Sequence, residues 1–252
     1  MGFQTAFVSA RGGRTMNEDS VRLAGHGDTL VLAVADGLGG CGGGDLAAAA
    51  VTKSLCVRFL DHPDLTDSGI GGLFNEVNLE VLSLQTGNLR MKSTGVALFA
   101  VGNRAMWAHA GDSRLYYFKN GRLNAHTADH SVSYMAYRTG EISLSQIRLH
   151  EDRSRVLRAF GAETTIRPEI SSQIVFDADF QAFLLCSDGF WENILEEELE
   201  IDLAKAESPE QWLSLLLSRL GARLGRNSDN YTAAAAFYTD DRDKQDWQFQ
   251  SE

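Results

Sequence analysis

Residues 95–127 read GVALFAVGNRAMWAHAGDSRLYYFKNGRLNAHT. Apolar and aromatic runs are punctuated there by Gly102-Asn103 and Asn120-Gly121, both hairpin turn signals, which predict three strands with short connections. Two-residue connections join only antiparallel neighbours, so a doubly wound parallel sheet is excluded. Upstream, residues 45–60 predict one helix capped by Asp45, and a second helix is expected over 73–85. Downstream, 131–160 carry charges and no long apolar stripe, and read as short helices and loops. QIVF, DADF and QAFLLC (173–186) suggest another hairpin turning at Asp177-Ala178-Asp179. Residues 208–225 predict a helix with Ser208 as cap and Pro209 in the first position. In 231–240, YTAAAAFYTD, four alanines span barely one helical turn and the flanking aromatics and threonine favour strand. The last residues, 241–252, are polar and read as a tail.

The chain has 252 residues, three prolines, 44% hydrophobic content and no linker or repeat, which favours one domain over 1–240. Its 34 acidic against 23 basic residues give a net charge of −11, which disfavours nucleic acid and anionic membranes as partners. Cys41, Cys56 and Cys186 are odd in number and far apart, as in a reducing compartment. No span of 18 apolar residues or leader pattern is present, and MGFQTA lacks the Ser or Thr of a myristoylation signal. A cytoplasmic monomer is the expectation.

An apolar strand runs into Asp-Gly twice, at VLAVADGLGG (31–40) and at FLLCSDGF (183–190). One such pair ordinarily marks a tight turn of positive φ. GLGGCG (37–42) also matches a dinucleotide fingerprint, with Asp61 at about the right distance. However, Asp36 would face the pyrophosphate, and the helix over 45–60 leaves no room for the second parallel strand. The acids form a different pattern. Asp36, Asp112 and Asp188 each end a strand, Asp229 precedes the last one, and Glu18-Asp19 precede the strand holding Asp36. Strand ends of an antiparallel sheet can converge, and converging carboxylates share a site only with protons or cations between them. Oxygen ligands suit magnesium or manganese. The histidines at 26, 62, 109, 126, 130 and 150 have no zinc-ligand spacing with the cysteines.

GRTMNEDS, VADGLGG, AHAGDSRLYYF, TADHS, LLCSDGFWENI and NSDNYTAA follow one another as in the metal-dependent protein phosphatases of the 2C type, and the chain resembles their short bacterial branch over residues 10–240. The resemblance implies an α+β fold of two packed antiparallel sheets flanked by helices, in agreement with the hairpins. It implies a phosphoserine/phosphothreonine phosphatase with two Mn or Mg ions, whose bridging hydroxide attacks phosphorus. Asp36 would bridge the ions and the Gly37 carbonyl would touch one of them. Asp188 and Asp229 would hold the second ion, and Asp19, with Glu18, the first. Asp112 would join Asp188 in a weaker third site, and Arg14 would grip the substrate phosphate. Residues 131–160 would be a flap contacting substrate, and the enzyme would oppose a Ser/Thr kinase.

Two departures matter. Leu38 stands where eukaryotic relatives place a histidine, so no general acid is assigned. Cys41 stands where relatives often carry histidine, which makes oxidation sensitivity a hypothesis. His109 and His130 read as structural. Two other readings stay open: a catalytically silent binding module, and a phosphatase of a small metabolite.

Overall fold

A computed structural model describes residues 2–39, 42–87, 89–177 and 179–239. Cys41 and the tail 241–252 lie outside the described residues. The chain opens with β1 (Gly2–Ala10), β2 (Asp19–His26) and β3 (Thr29–Asp36), followed by helices α1 (Gly44–Asp61) and α2 (Asp67–Leu84). Four strands then follow: β4 (Gly95–Val101), β5 (Arg104–Ala110), β6 (Arg114–Lys119) and β7 (Arg122–His126). After α3 (Val132–Arg138) and a 3-10 turn at Leu144–Leu149 come the two-residue strands β8 (Glu169–Ile170) and β9 (Ile174–Val175). The chain continues through β10 (Gln181–Cys186), α4 (Asp188–Trp191), α5 (Glu196–Leu203), α6 (Pro209–Arg223) and β11 (Tyr231–Thr239).

One sheet has the order β1-β11-β10-β6-β7 and the other β2-β3-β4-β5-β8, with β9 also on β5, and their ladders are antiparallel. The alternation of strand side chains sorts residues into layers. In β3, Leu32 and Val34 enter the core between the sheets, while Val31, Ala33 and Ala35 pack in the core with α1 and α2. In β11, Ala234, Ala236 and Tyr238 face the other sheet, and Ala233, Ala235 and Phe237 pack in the core with Trp212, Leu216 and Leu220 of α6. Both faces of these strands are covered, which is why their sequences are continuously apolar. The result is the expected sandwich, helices outside two sheets.

Four local expectations need correction. Residues 95–127 make four strands rather than three. The chain leaves one sheet after β5 and enters the other at β6, and the switch is made at Gly111, whose φ of 113° disfavours a side chain. QIVF and QAFLLC are not a hairpin: β9 pairs with β5, whereas β10 pairs with β6 and β11. Asp45 lies inside the first turn of α1 and does not cap it; the cap residue is Gly43, with no side-chain hydrogen bond. The second helix begins earlier than 73, because the Thr66 hydroxyl accepts the Gly69 N–H at 3.0 Å. Ser208 caps α6 as expected.

Candidate active site

The acids at the strand ends meet at one end of the sandwich. Asp19 opens β2 and is paired with Asp36, the last residue of β3. From the other sheet, the Ser187 hydroxyl donates to Asp19 Oδ2 at 2.7 Å, just before Asp188. A cleft of about 440 Å³ is lined by Arg14, Glu18, Asp36, Gly37, Asp112, Asp188 and Asp229, with Leu38, Ser154 and Val156. Asp19 lies behind this lining.

Both Asp-Gly pairs now have a physical reason, and it is not the positive φ of a hairpin. Neither Gly37 nor Gly189 has a positive φ. A Cβ on Gly37 would stand 2.3 Å from the Gly44 carbonyl and 2.7 Å from the Glu18 oxygen. One on Gly189 would stand 2.0 Å from the Asn230 oxygen. Each glycine lets a second backbone segment approach the carboxylate before it.

The carboxyls repel one another, and all but Asp229 and Glu18 are largely withdrawn from solvent. Burial first, then the charges of Asp188, Asp19 and Asp112, pushes the Asp36 carboxyl well above the usual range. Asp112 is raised by burial and then by Asp188 and Asp129, and Asp188 by burial and then by Asp229. Asp36 and Asp188 each keep some surface open to the cleft but are otherwise enclosed. Burial pushes Asp19 up to about 7, against the hydrogen bond from Ser187, and its Oδ1 is buried with no hydrogen-bond partner. An acceptor left empty in this way, among carboxylates that outnumber the one arginine lining the cleft, is what a divalent ion would satisfy. The donor set is all oxygen, so the residues fit magnesium or manganese.

Glu18 turns its carboxylate toward the glycine loop: a Cβ on Gly39 would meet Glu18 Oε2 at 2.0 Å, and one on Gly44 would meet Oε1 at 2.8 Å. Arg14 is exposed at the mouth and donates from Nη2 to Asp229 Oδ2 at 2.8 Å.

Three supporting residues carried no role in the sequence reading. Asn230 ties the loops together, accepting the Glu18 N–H at 2.8 Å and donating to the carbonyls of Arg11 and Met16. Thr94 receives the Asp36 N–H at 2.9 Å. Trp191 donates from Nε1 to the Asp112 carbonyl at 2.9 Å, and Arg114 lies 3.5 Å over its ring. Arg114 is itself buried in a bidentate pair with Asp129, at 2.8 and 2.7 Å. Asn230 and Trp191 fall inside motifs of the resemblance, but a motif does not say which of its residues hold backbone.

Beside the cleft, His109, His130 and Glu169 bring one potential ligand atom each within 4.8 Å of one another. His109 and Glu169 are paired across β5 and β8. The imidazole rings are stacked at 4.5 Å and 2° from parallel, so their in-plane lone pairs do not converge on one ion. His109 Nε2 bonds the Ala128 carbonyl, and Arg158 lies 2.9 Å from His130 Nε2. This cluster reads as packing.

The family model for protein phosphatase 2C matches residues 8–228. The serine/threonine phosphatase Stp of Listeria monocytogenes is 30% identical over 196 residues, 74% of this chain and 77% of its own. PstP of Mycobacterium tuberculosis is 28% identical over 235 residues, 90% of this chain and 43% of its own. Among solved structures, the PstP catalytic domain in complex with two manganese ions is similar, with a TM-score of 0.80 at 27% identity, covering 94% of this chain and 99% of that one. A bacterial serine phosphatase shares the fold, with a TM-score of 0.84 at 22% identity, covering 95% of this chain and 99% of that one.

Proposed function

The chain belongs to the protein phosphatase 2C family, and from that membership we propose that it is a metal-dependent phosphoprotein phosphatase hydrolysing phosphoserine and phosphothreonine monoesters with two Mn or Mg ions. The observation that carries this reading is the gathering of Asp19, Asp36, Asp112, Asp188 and Asp229 around the cleft, with Asp19 Oδ1 unsatisfied, beside the exposed guanidinium of Arg14. Asp36, Asp188 and Asp229 with Asp19 would hold the ions, assisted by the Gly37 carbonyl, while Asp112 with Asp188 offers a further site. When bound, such ions make a water acidic enough to attack at neutral pH and neutralise charge building on the phosphoryl oxygens.

The residues of the chain do the rest. Arg14, exposed at the mouth, would orient the phosphate by offering two guanidinium N–H groups to phosphoryl oxygens, a contribution of roughly 1.5–3 kcal/mol. The paired sheets fix the carboxylates before substrate arrives, so little reorganisation is needed in the transition state. No histidine lines the cleft among the described residues, so the departing serine or threonine oxygen takes its proton from water or from a carboxyl. A Ser/Thr kinase would supply the substrate.

The test is phosphate release from a phosphothreonine peptide with manganese, with magnesium and with chelator. Turnover that needs the cation and vanishes in Asp36→Asn is the expected result. Wild-type protein that binds no metal and releases no phosphate would return the chain to a silent binding module. Activity confined to small esters would shift the substrate to a metabolite.

A further inference from the structure

A second cleft, of about 470 Å³, shares Arg14 and Asp229 with the catalytic one and adds Arg153, Glu192, Arg223 and Arg226. We propose that this cleft binds an anionic side chain next to the phosphoresidue of the substrate, with Arg226 as the residue that selects it. The inference rests on the phosphatase reading above and names the substrate class: phosphopeptides carrying a flanking carboxylate or second phosphate.

The placement of charge carries the argument. The chain as a whole bears −11, yet this wall brings four guanidinium groups together against two lining carboxylates. Both carboxylates are occupied: Asp229 by Arg14 at 2.8 Å and Glu192 by Arg153 at 3.1 Å. Arg223 is held by Glu198 at 2.6 Å. Arg226 is exposed, and its side chain has neither ion pair nor hydrogen bond among the described residues. With Arg14 given to the phosphate and Arg153 and Arg223 held by carboxylates, Arg226 is left in this wall to meet a second anion, and a guanidinium fork suits carboxylate and phosphate alike.

Its position relative to the reaction is fixed by backbone packing. The Gly13 N–H bonds the Ser228 carbonyl at 3.0 Å and the Ser228 hydroxyl at 3.1 Å. A Cβ on Gly13 would stand 2.1 Å from the Arg226 oxygen, and one on Gly12 2.1 Å from the Asp229 oxygen. The segment carrying Arg14 is thereby clamped to the segment carrying Arg226 and Asp229. A peptide whose phosphate reaches Arg14 passes the shared wall, and a neighbouring side chain enters the second cleft.

The experiment compares kcat/KM, in manganese, for a phosphothreonine peptide with neutral flanks and for peptides in which one glutamate, or one phosphoserine, is walked through the flanking positions. The ratio of acidic to neutral peptide is read for each enzyme, so a general change in activity cancels. Wild type is expected to prefer the best acidic peptide by about two- to fivefold, the scale of an exposed ion pair, and to lose that preference in high salt. Arg226→Gln should bring the ratio to about one and Arg226→Glu below one. A preference for phosphoserine over glutamate would identify doubly phosphorylated substrates, and equal preference a general acidic site. A ratio near one in an active wild type, or a preference that survives Arg226→Glu, overturns the inference while leaving the phosphatase reading intact. Absence of turnover on every peptide strikes the phosphatase reading instead.

Discussion

Replacing Asp19 by asparagine should make the metal-free protein more stable while weakening its response to metal. The Asp19 carboxyl is raised from 3.8 to about 7 in the folded chain. An acid raised on folding binds more protons folded than unfolded, so stability declines as pH rises from about 4 to about 7 and is lowest above that. About three pH units at 1.36 kcal/mol each give a penalty of about 4 kcal/mol at pH 8. Asparagine removes the charge, but leaves an amide N–H where Oδ1 now lacks a partner, at about 1–3 kcal/mol. The net gain is about 1–3 kcal/mol, and for a chain of this size each kcal/mol moves the melting temperature by about 2–4 °C. Wild type at a hundredfold excess of manganese over its Kd should gain about 2.7 kcal/mol per site, and Asp19→Asn distinctly less. Thermal melts of both proteins at about pH 5 and pH 8, with chelator and with manganese, read all of this. If Asp19→Asn melts below wild type in chelator at pH 8, and the wild-type midpoint is independent of pH, the electrostatic reasoning fails.

Other perturbations give separate signatures. Arg14→Ala should lower kcat/KM on a phosphopeptide by about 10- to 100-fold, while calorimetry shows manganese still bound; its exposed pair with Asp229 makes the stability change under about 1 kcal/mol. Gly189→Ala should abolish activity and lower the melting temperature sharply, because the new methyl collides with the Asn230 backbone; a wild-type midpoint would contradict the close-approach explanation. Asp129→Ala leaves the buried guanidinium of Arg114 without its bidentate partner, at about 3–5 kcal/mol by denaturant titration. A change under about 1 kcal/mol there would mean that the other hydrogen bonds of Arg114, to the Tyr116 hydroxyl at 2.9 Å and Glu196 Oε1 at 3.5 Å, suffice to hold it.

The antiparallel architecture was legible because Gly102-Asn103 and Asn120-Gly121 are turn signals that leave few alternatives. The switch between sheets at Gly111 was not, since a strand leaving one sheet for another carries the same local alternation as one that stays. The same limit explains the false hairpin at 173–186: local pattern marks strands, whereas partners are chosen by packing across the sandwich. Edge strand β1 was missed because its half-buried residues mix polar with apolar side chains. At the site, the aspartates were visible as strand ends and through the resemblance. The reason for the glycines was not, because steric contact with Gly44 and Asn230 exists only in three dimensions. Nor does a sequence show that Arg226 sits beside Arg14, more than two hundred residues away along the chain.

The measurement that tests the central claim most directly is an anomalous diffraction map from a crystal of the protein grown with manganese. Two peaks between Asp19, Asp36, Asp188 and Asp229, with Asp36 contacting both and Asp19 Oδ1 no longer without a partner, are the expected result. A map without peaks in the catalytic cleft, from a crystal at manganese levels that support turnover, would contradict the account.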